Sequence, residues 1–132
     1  MNVPSSDRRD FGRRWRLTGR RRFAEIHAAK VRREAGPLLV YGLPNRLDHL
    51  RLGLSVGRRV GNAVARQRIK RRLREAFRHH RGDWPSGYDL LVVVRPHRAL
   101  PPDEYATNLG SAIEGIDRTW RRRTTPNEPN SA

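Results

Sequence analysis

Between Arg58 and Arg81 the chain carries ten basic residues against a single acid, Glu75, and threads an apolar residue among them every three or four positions. Ala65, Ile69, Leu73, Ala76 and Phe77 fall on one side of a helix at that spacing. Asn62 is a good N-cap for a helix over Ala63–His80, which Gly82 and Pro85 bring to an end. On that helix Lys70, Arg71, Arg74 and Arg78 spread over the side opposite Ile69 and Leu73. Arg68 and Arg72 extend this side around one edge, and Arg66 lies on the other. One face must therefore be docked on a core while a wide cationic face looks outward.

The flanking segments supply that core. Leu50, Leu52, Leu54 and Val56 alternate with Arg51, Gly53 and Ser55, the period of a half-buried strand. Tyr88–Val94 is a β-rich apolar run and the expected central strand. Strand, helix, strand in that order implies a parallel pair with helices packed on the sheet. Before it, Thr18 is expected to cap a first helix running to about Ala29, with Phe23, Ile26 and His27 on one face. A short edge strand over Lys30–Arg33 and a strand over Pro37–Leu43 follow, and Pro44-Asn45 marks a turn. Pro101-Pro102-Asp103-Glu104 opens a last helix, whose buried stripe is Tyr105, Leu109, Ala112, Ile113, Ile116 and Trp120. Residues 1–14 read as a disordered basic arm, 15–121 as one domain, and 122–132 as a disordered tail.

Composition narrows the partner. Lys plus Arg number 29 against 13 Asp plus Glu, a formal net charge of +16 in 132 residues. Only Lys30 and Lys70 are lysines. Arginine forks onto phosphate and stacks on bases, which lysine does not. A solvated helix face ordinarily mixes charge signs in i,i+4 pairs. Here like charges crowd together, which is unfavourable until a polyanion neutralises them. If about six of these side chains reach phosphates, affinity falls on the order of a thousandfold between 50 and 200 mM salt. The chain has no cysteine, so disulfides, thiolate catalysis and cysteine-based zinc sites are excluded. No apolar run approaches a membrane span and no secretory pattern is present, so a cytoplasmic protein without a membrane partner is expected. The five histidines show no metal-ligand spacing on one helix face, and no acid, base and nucleophile constellation is visible. Size and charge alone fit a ribosomal or assembly protein equally well. A helix-turn-helix DNA binder fits less well, because the basic helix sits between strands.

The stretch Arg58-Arg59-Val60-Gly61-Asn62-Ala63-Val64-Ala65-Arg66-Gln67-Arg68-Ile69-Lys70-Arg71-Arg72-Leu73-Arg74-Glu75-Ala76-Phe77-Arg78 resembles the signature of the bacterial ribonuclease P protein family: a basic pair, Gly-Asn-Ala-Val, then Arg-Asn-Arg-x-Lys-Arg. Leu52-Gly53-Leu54-Ser55-Val56 matches as well, and weaker similarity runs from about Leu17 to Arg123. Gln67 stands where the family carries Asn. The resemblance implies an α+β sandwich of order αβββαβα, of the ribonuclease P protein and ribosomal S5 domain 2-like type, with a left-handed crossover through the basic helix. General rules would instead make that crossover right-handed.

The resemblance also implies a role as the protein subunit of an endoribonuclease that removes the 5′ leader of precursor tRNA. The chemistry belongs to a catalytic RNA using Mg2+, with no catalytic or metal-binding residue in the protein and one protein per RNA. By position in the motif, Arg58, Arg59, Asn62, Arg66, Arg68, Lys70, Arg71, Arg72 and Arg74 are implied to contact the catalytic RNA. Phe23, His27, Leu39 and Tyr41 match leader-cleft positions, His27 standing where the family has an aromatic such as Phe. From the residues alone, Tyr41 could equally be core or stack on unpaired bases, and for Phe23 the core role is at least as well supported as stacking.

Overall fold

The computed structural model describes residues 13–124. The elements are α1 (Arg20–Ala29), β1 (Arg32–Ala35), β2 (Leu38–Pro44), β3 (Arg51–Val56), a 3-10 turn (Arg58–Val60), α2 (Ala63–His80), a second 3-10 turn (Arg81–Asp83), β4 (Tyr88–Val94) and α3 (Pro102–Thr124). They form the expected mixed α+β sandwich. The four strands lie in the order β1-β2-β4-β3, so the apolar run Tyr88–Val94 is an inner strand. It pairs antiparallel with β2, Val40 opposite Val92, and parallel with β3, Leu54 opposite Val92. The backbone at Arg16 adds a short parallel bridge to Leu52 outside β3, so the ordered fold begins ahead of Leu17. The expected arm lies outside the described residues up to position 12, and the expected tail from position 125. At the near end of that tail, α3 continues through Thr124.

The strand period of two sorts the sheet into two unlike faces. Leu38, Val40, Leu90, Val92 and Val94 turn to one side and pack with Ile69, Leu73, Ala76 and Phe77 of α2 and Tyr105, Leu109, Ile113 and Ile116 of α3. Each fully buried side chain of this size contributes roughly 1.5–3 kcal/mol. Close approach of α3 to β2 requires Gly42: a Cβ there would stand 2.6 Å from a methyl of Ile116. Trp120 closes the end of this layer by donating its indole N–H to the Gly42 carbonyl at 2.9 Å. On the other face, among the described residues, α1 and the segment at Leu17 ahead of it cover the sheet, through a smaller cluster of Leu17, Ile26, Tyr41 and Leu91.

Two boundaries differ from expectation. The residue ahead of α1 is Gly19, not Thr18, with φ 102° and no side-chain cap. That backbone conformation suits glycine, and it leaves Thr18 one position outside the cap. At the other end Lys30 takes the left-handed conformation, φ 59°, which stops α1 and delays the edge strand to Arg32–Ala35.

Candidate nucleic-acid interface

Helix α2 begins as its sequence requires. Asn62 is extended, and its side-chain oxygen accepts the Ala65 N–H at 2.8 Å. Ile69, Leu73, Ala76 and Phe77 are all buried, which fixes the helix rotation and turns the cations outward. Arg58, Arg59, Arg68, Arg71 and Arg74 are exposed, and Lys70 is half-buried. Asn62 is exposed too, but its side-chain oxygen is already committed to the cap.

Two of the expected contact residues are tied down within the protein. Arg66 folds back to donate to the Gly61 carbonyl at 3.1 Å, and Arg72 donates to the Leu100 carbonyl at 2.9 Å, fastening the loop after β4. Glu75 is engaged by Arg78 at 2.9 Å and His79 at 2.7 Å. Those hydrogen bonds, Arg78's first, hold its carboxyl below the usual range and leave it no hand for the other cations. Although Arg74 is exposed, its guanidinium is partly shielded from water, and this desolvation, with the nearby charge of Arg16, presses it below the usual arginine value. Among the described residues no acid pairs with Arg58, Arg59, Arg68, Lys70, Arg71 or Arg74.

The second candidate surface lies on the opposite face of the sheet. Phe23, Ala24 and His27 of α1, with Ser55, Leu91 and Val93 of the strands, line an open groove of about 370 Å3. Leu39 is half-buried at its margin, paired with Val93 on the same face. Tyr41 belongs to the sheet face but is only 4% exposed. His27 stacks on its ring at 4.5 Å between centroids and 21° between planes, while Arg32 donates to its hydroxyl at 3.3 Å. The outward plate of this pair is therefore His27, and Phe23 supplies the other accessible ring.

A smaller pocket of about 290 Å3 joins the two surfaces. It shares Phe23 and Leu54 with the groove and adds Arg16, Lys70 and Arg74. A strand of nucleic acid leaving the groove would meet cations of α2 there.

Sequence reading passed over the residue that holds the groove together. Asp89 is fully buried on the α1 face. Arg51 clasps it with two bonds of 2.7 Å, Arg22 of α1 donates at 2.7 Å, and Asn45 donates at 2.9 Å. Burial pushes the carboxyl up, but the bonds from Arg51, Asn45 and Arg22 more than offset this and hold it below its ordinary value. The available signal was an acid inside an apolar strand, since such a group is buried only when paired.

A small α+β protein with a cationic helix beside an open, aromatic-edged sheet face is the class that this geometry defines. The chain belongs to the ribonuclease P protein family: the family model described as Ribonuclease P matches residues 11–117. The Pseudomonas syringae ribonuclease P protein component is 36% identical over 126 residues, covering 91% of this chain and 90% of that one. The Azotobacter vinelandii ribonuclease P protein component is 42% identical over 89 residues, 66% of this chain and 68% of that one. Alignments with some other relatives span about two thirds of the relative's length. Among solved structures, a Staphylococcus aureus RNase P protein mutant with defective mRNA degradation activity superposes with a TM-score of 0.72 at 26% identity, over 89% of this chain and 98% of that one. No helix among the described residues is long and apolar enough to cross a membrane, and no group of three or more His, Asp or Glu there is placed to hold a metal ion.

Proposed function

We propose that this chain is the protein subunit of ribonuclease P. In this reading α2 and the 3-10 turn ahead of it dock on the catalytic RNA, through Arg58 and Arg59 of the turn and Arg68, Lys70, Arg71 and Arg74 of the helix, while the α1 groove receives the single-stranded 5′ leader of precursor tRNA. The RNA, with Mg2+, carries out hydrolysis, and one protein serves one RNA. The observation that carries this is a row of cations without acidic partners among the described residues, borne by a helix fixed by its buried face and by the turn before it, and joined to the open α1 groove through the pocket at Arg16, Lys70 and Arg74. Phosphate contacts of this kind position a partner without reading its sequence, which suits a folded RNA recognised by shape. Arg66 and Arg72 act one step back, holding the helix start and the loop after β4.

Reconstitution tests it. Ribonuclease P RNA of the same organism, precursor tRNA and low Mg2+ are combined with and without the protein. Leader release should accelerate when the protein is added, with a larger gain in affinity for precursor than for mature tRNA. Protein without RNA should release no leader. No stimulation by a folded protein, or cleavage by protein freed of RNA, would overturn the proposal.

A further inference from the structure

Beside the N-terminal half of α2 lies a pocket of about 380 Å3 that borders the docking face at Arg68 but whose apolar interior the docking reading leaves unused. Its walls are apolar: Val60 from the 3-10 turn, Ala65 and Ile69 from α2, Ala99 from the loop after β4. Its rim is cationic, with Arg68 on one side and Arg98 on the other, both exposed. No acidic side chain lines it.

Arg72 and His97 complete the lining, and His97 is held by hydrogen bonds at both ring nitrogens. Its Nδ1 lies 2.7 Å from the Arg95 carbonyl and so carries the proton. Its Nε2 then accepts from the Tyr105 hydroxyl at 2.6 Å, and that hydroxyl accepts the Leu100 N–H at 3.2 Å. Arg72 fixes the same loop from the helix side through the Leu100 carbonyl. With both nitrogens committed, His97 has only its flat face to offer a ligand.

We infer that this pocket receives one unpaired nucleobase of the docked RNA, the base lying against His97 and the apolar walls and its flanking phosphates on Arg68 and Arg98. The inference rests on the reading of α2 as the RNA-docking helix and adds a site to it. A phosphate alone would have no use for the apolar floor, and an apolar side chain would have none for the two guanidinium groups. A splayed-out nucleotide satisfies both, and unpaired bases are the part of a folded RNA that proteins can take up in this way. The rigid loop matters because a stacking wall that must first be ordered returns less affinity.

The test fills the pocket without touching its charges. Ala99→Leu enters from the loop and Ala65→Leu from the helix, so one can stand in should the other fail to fold by circular dichroism. Binding to ribonuclease P RNA is measured across salt concentrations, and the RNA bases are probed with dimethyl sulfate and a carbodiimide. Wild-type protein should protect one unpaired base. Either filled variant should expose that base again and lose about tenfold in affinity with an unchanged salt slope. Arg98→Ala should lower the slope by about one. Filled variants that bind like wild type with the same footprint overturn the pocket while leaving helix docking intact. Failure of wild type to bind the RNA at all overturns both.

Discussion

Helices α1 and α2 both present candidate RNA contacts, yet they are held to the sheet by opposite means. Helix α2 buries four apolar residues, starts on an Asn62 cap, and needs few of its cations for its own fold. Helix α1 buries only Ile26, starts without a side-chain cap, and uses Arg22 to reach Asp89 beneath it. Apolar packing docks the first, whereas the second adds an ion pair to a smaller apolar cluster. The consequence is a division of labour: where apolar packing does the anchoring, cations remain free for a polyanion; where an ion pair does it, the outward surface is left to rings such as Phe23 and His27.

The largest effect should come from breaking the ionic anchor. Asp89→Ala leaves Arg22 and Arg51 facing a buried void, and losing one member of a buried pair costs roughly 3–5 kcal/mol. Urea denaturation should show it, with α1 losing amide protection first. The same group sets an acid limit. Its folded pKa lies below the ordinary 3.8, so its contribution is complete above the unfolded value and disappears as pH falls through the folded one. Wild type should therefore weaken on acidification below about pH 4 through this group, and Asp89→Asn should lack that component of the slope. An equal acid slope in both would remove Asp89 from the account of α1 docking.

Next in size is the loss of free cations. Arg68→Ala with Lys70→Ala removes two charged contacts of about 1.5 kcal/mol each, or on the order of a hundredfold in affinity for ribonuclease P RNA at low salt. Neither residue belongs to the buried stripe, so the denaturation midpoint should stay put. A large loss of stability would mean that α2 also depends on charge for docking, and the contrast with α1 would fail.

His27→Ala probes the groove. Removing the outer plate of the His27–Tyr41 stack should cost about fivefold to tenfold in binding precursor tRNA to the reconstituted enzyme and little for mature tRNA. Equal losses for the two substrates would disconnect the groove from the leader. The smallest effect concerns the helix starts. Asn62→Ala should cost about 1 kcal/mol by leaving the Ala65 N–H without its acceptor, whereas Thr18→Ala should fall within about 0.5 kcal/mol of wild type. Thermal melts of the pair compare a side-chain cap with a glycine-started helix.

How legible these features were in sequence follows the same contrast. The range of α2, its cap and its buried stripe are local: period, cap chemistry and terminating Gly82 and Pro85 lie within one segment. The parallel pairing of β3 with β4 followed from the helix between them. The anchor of α1 is non-local, since Arg22 and Asp89 stand 67 positions apart and nothing in either neighbourhood names the other. Tyr41 was read as either core or stacking surface because strand alternation fixes its face but not its cover, and His27 and Arg32 provide that cover. Arg66 and Arg72 looked like free cations because helical position reports direction, not the backbone carbonyl waiting at Gly61 or Leu100. Thr18 lost the cap to Gly19 because the chain enters α1 through a positive φ, which residue type alone signals weakly.

Because the chain contains no cysteine, a single one can be placed at will to report which surface meets RNA. Gln67→Cys, exposed on α2, and Glu114→Cys, exposed on α3, would each carry an iron chelate that releases hydroxyl radicals into the bound ribonuclease P RNA. Localised strand scission from position 67, with none above background from position 114, is the expected result. Scission from 114 that matches or exceeds that from 67 would mean that the cationic face of α2 is turned away from the RNA.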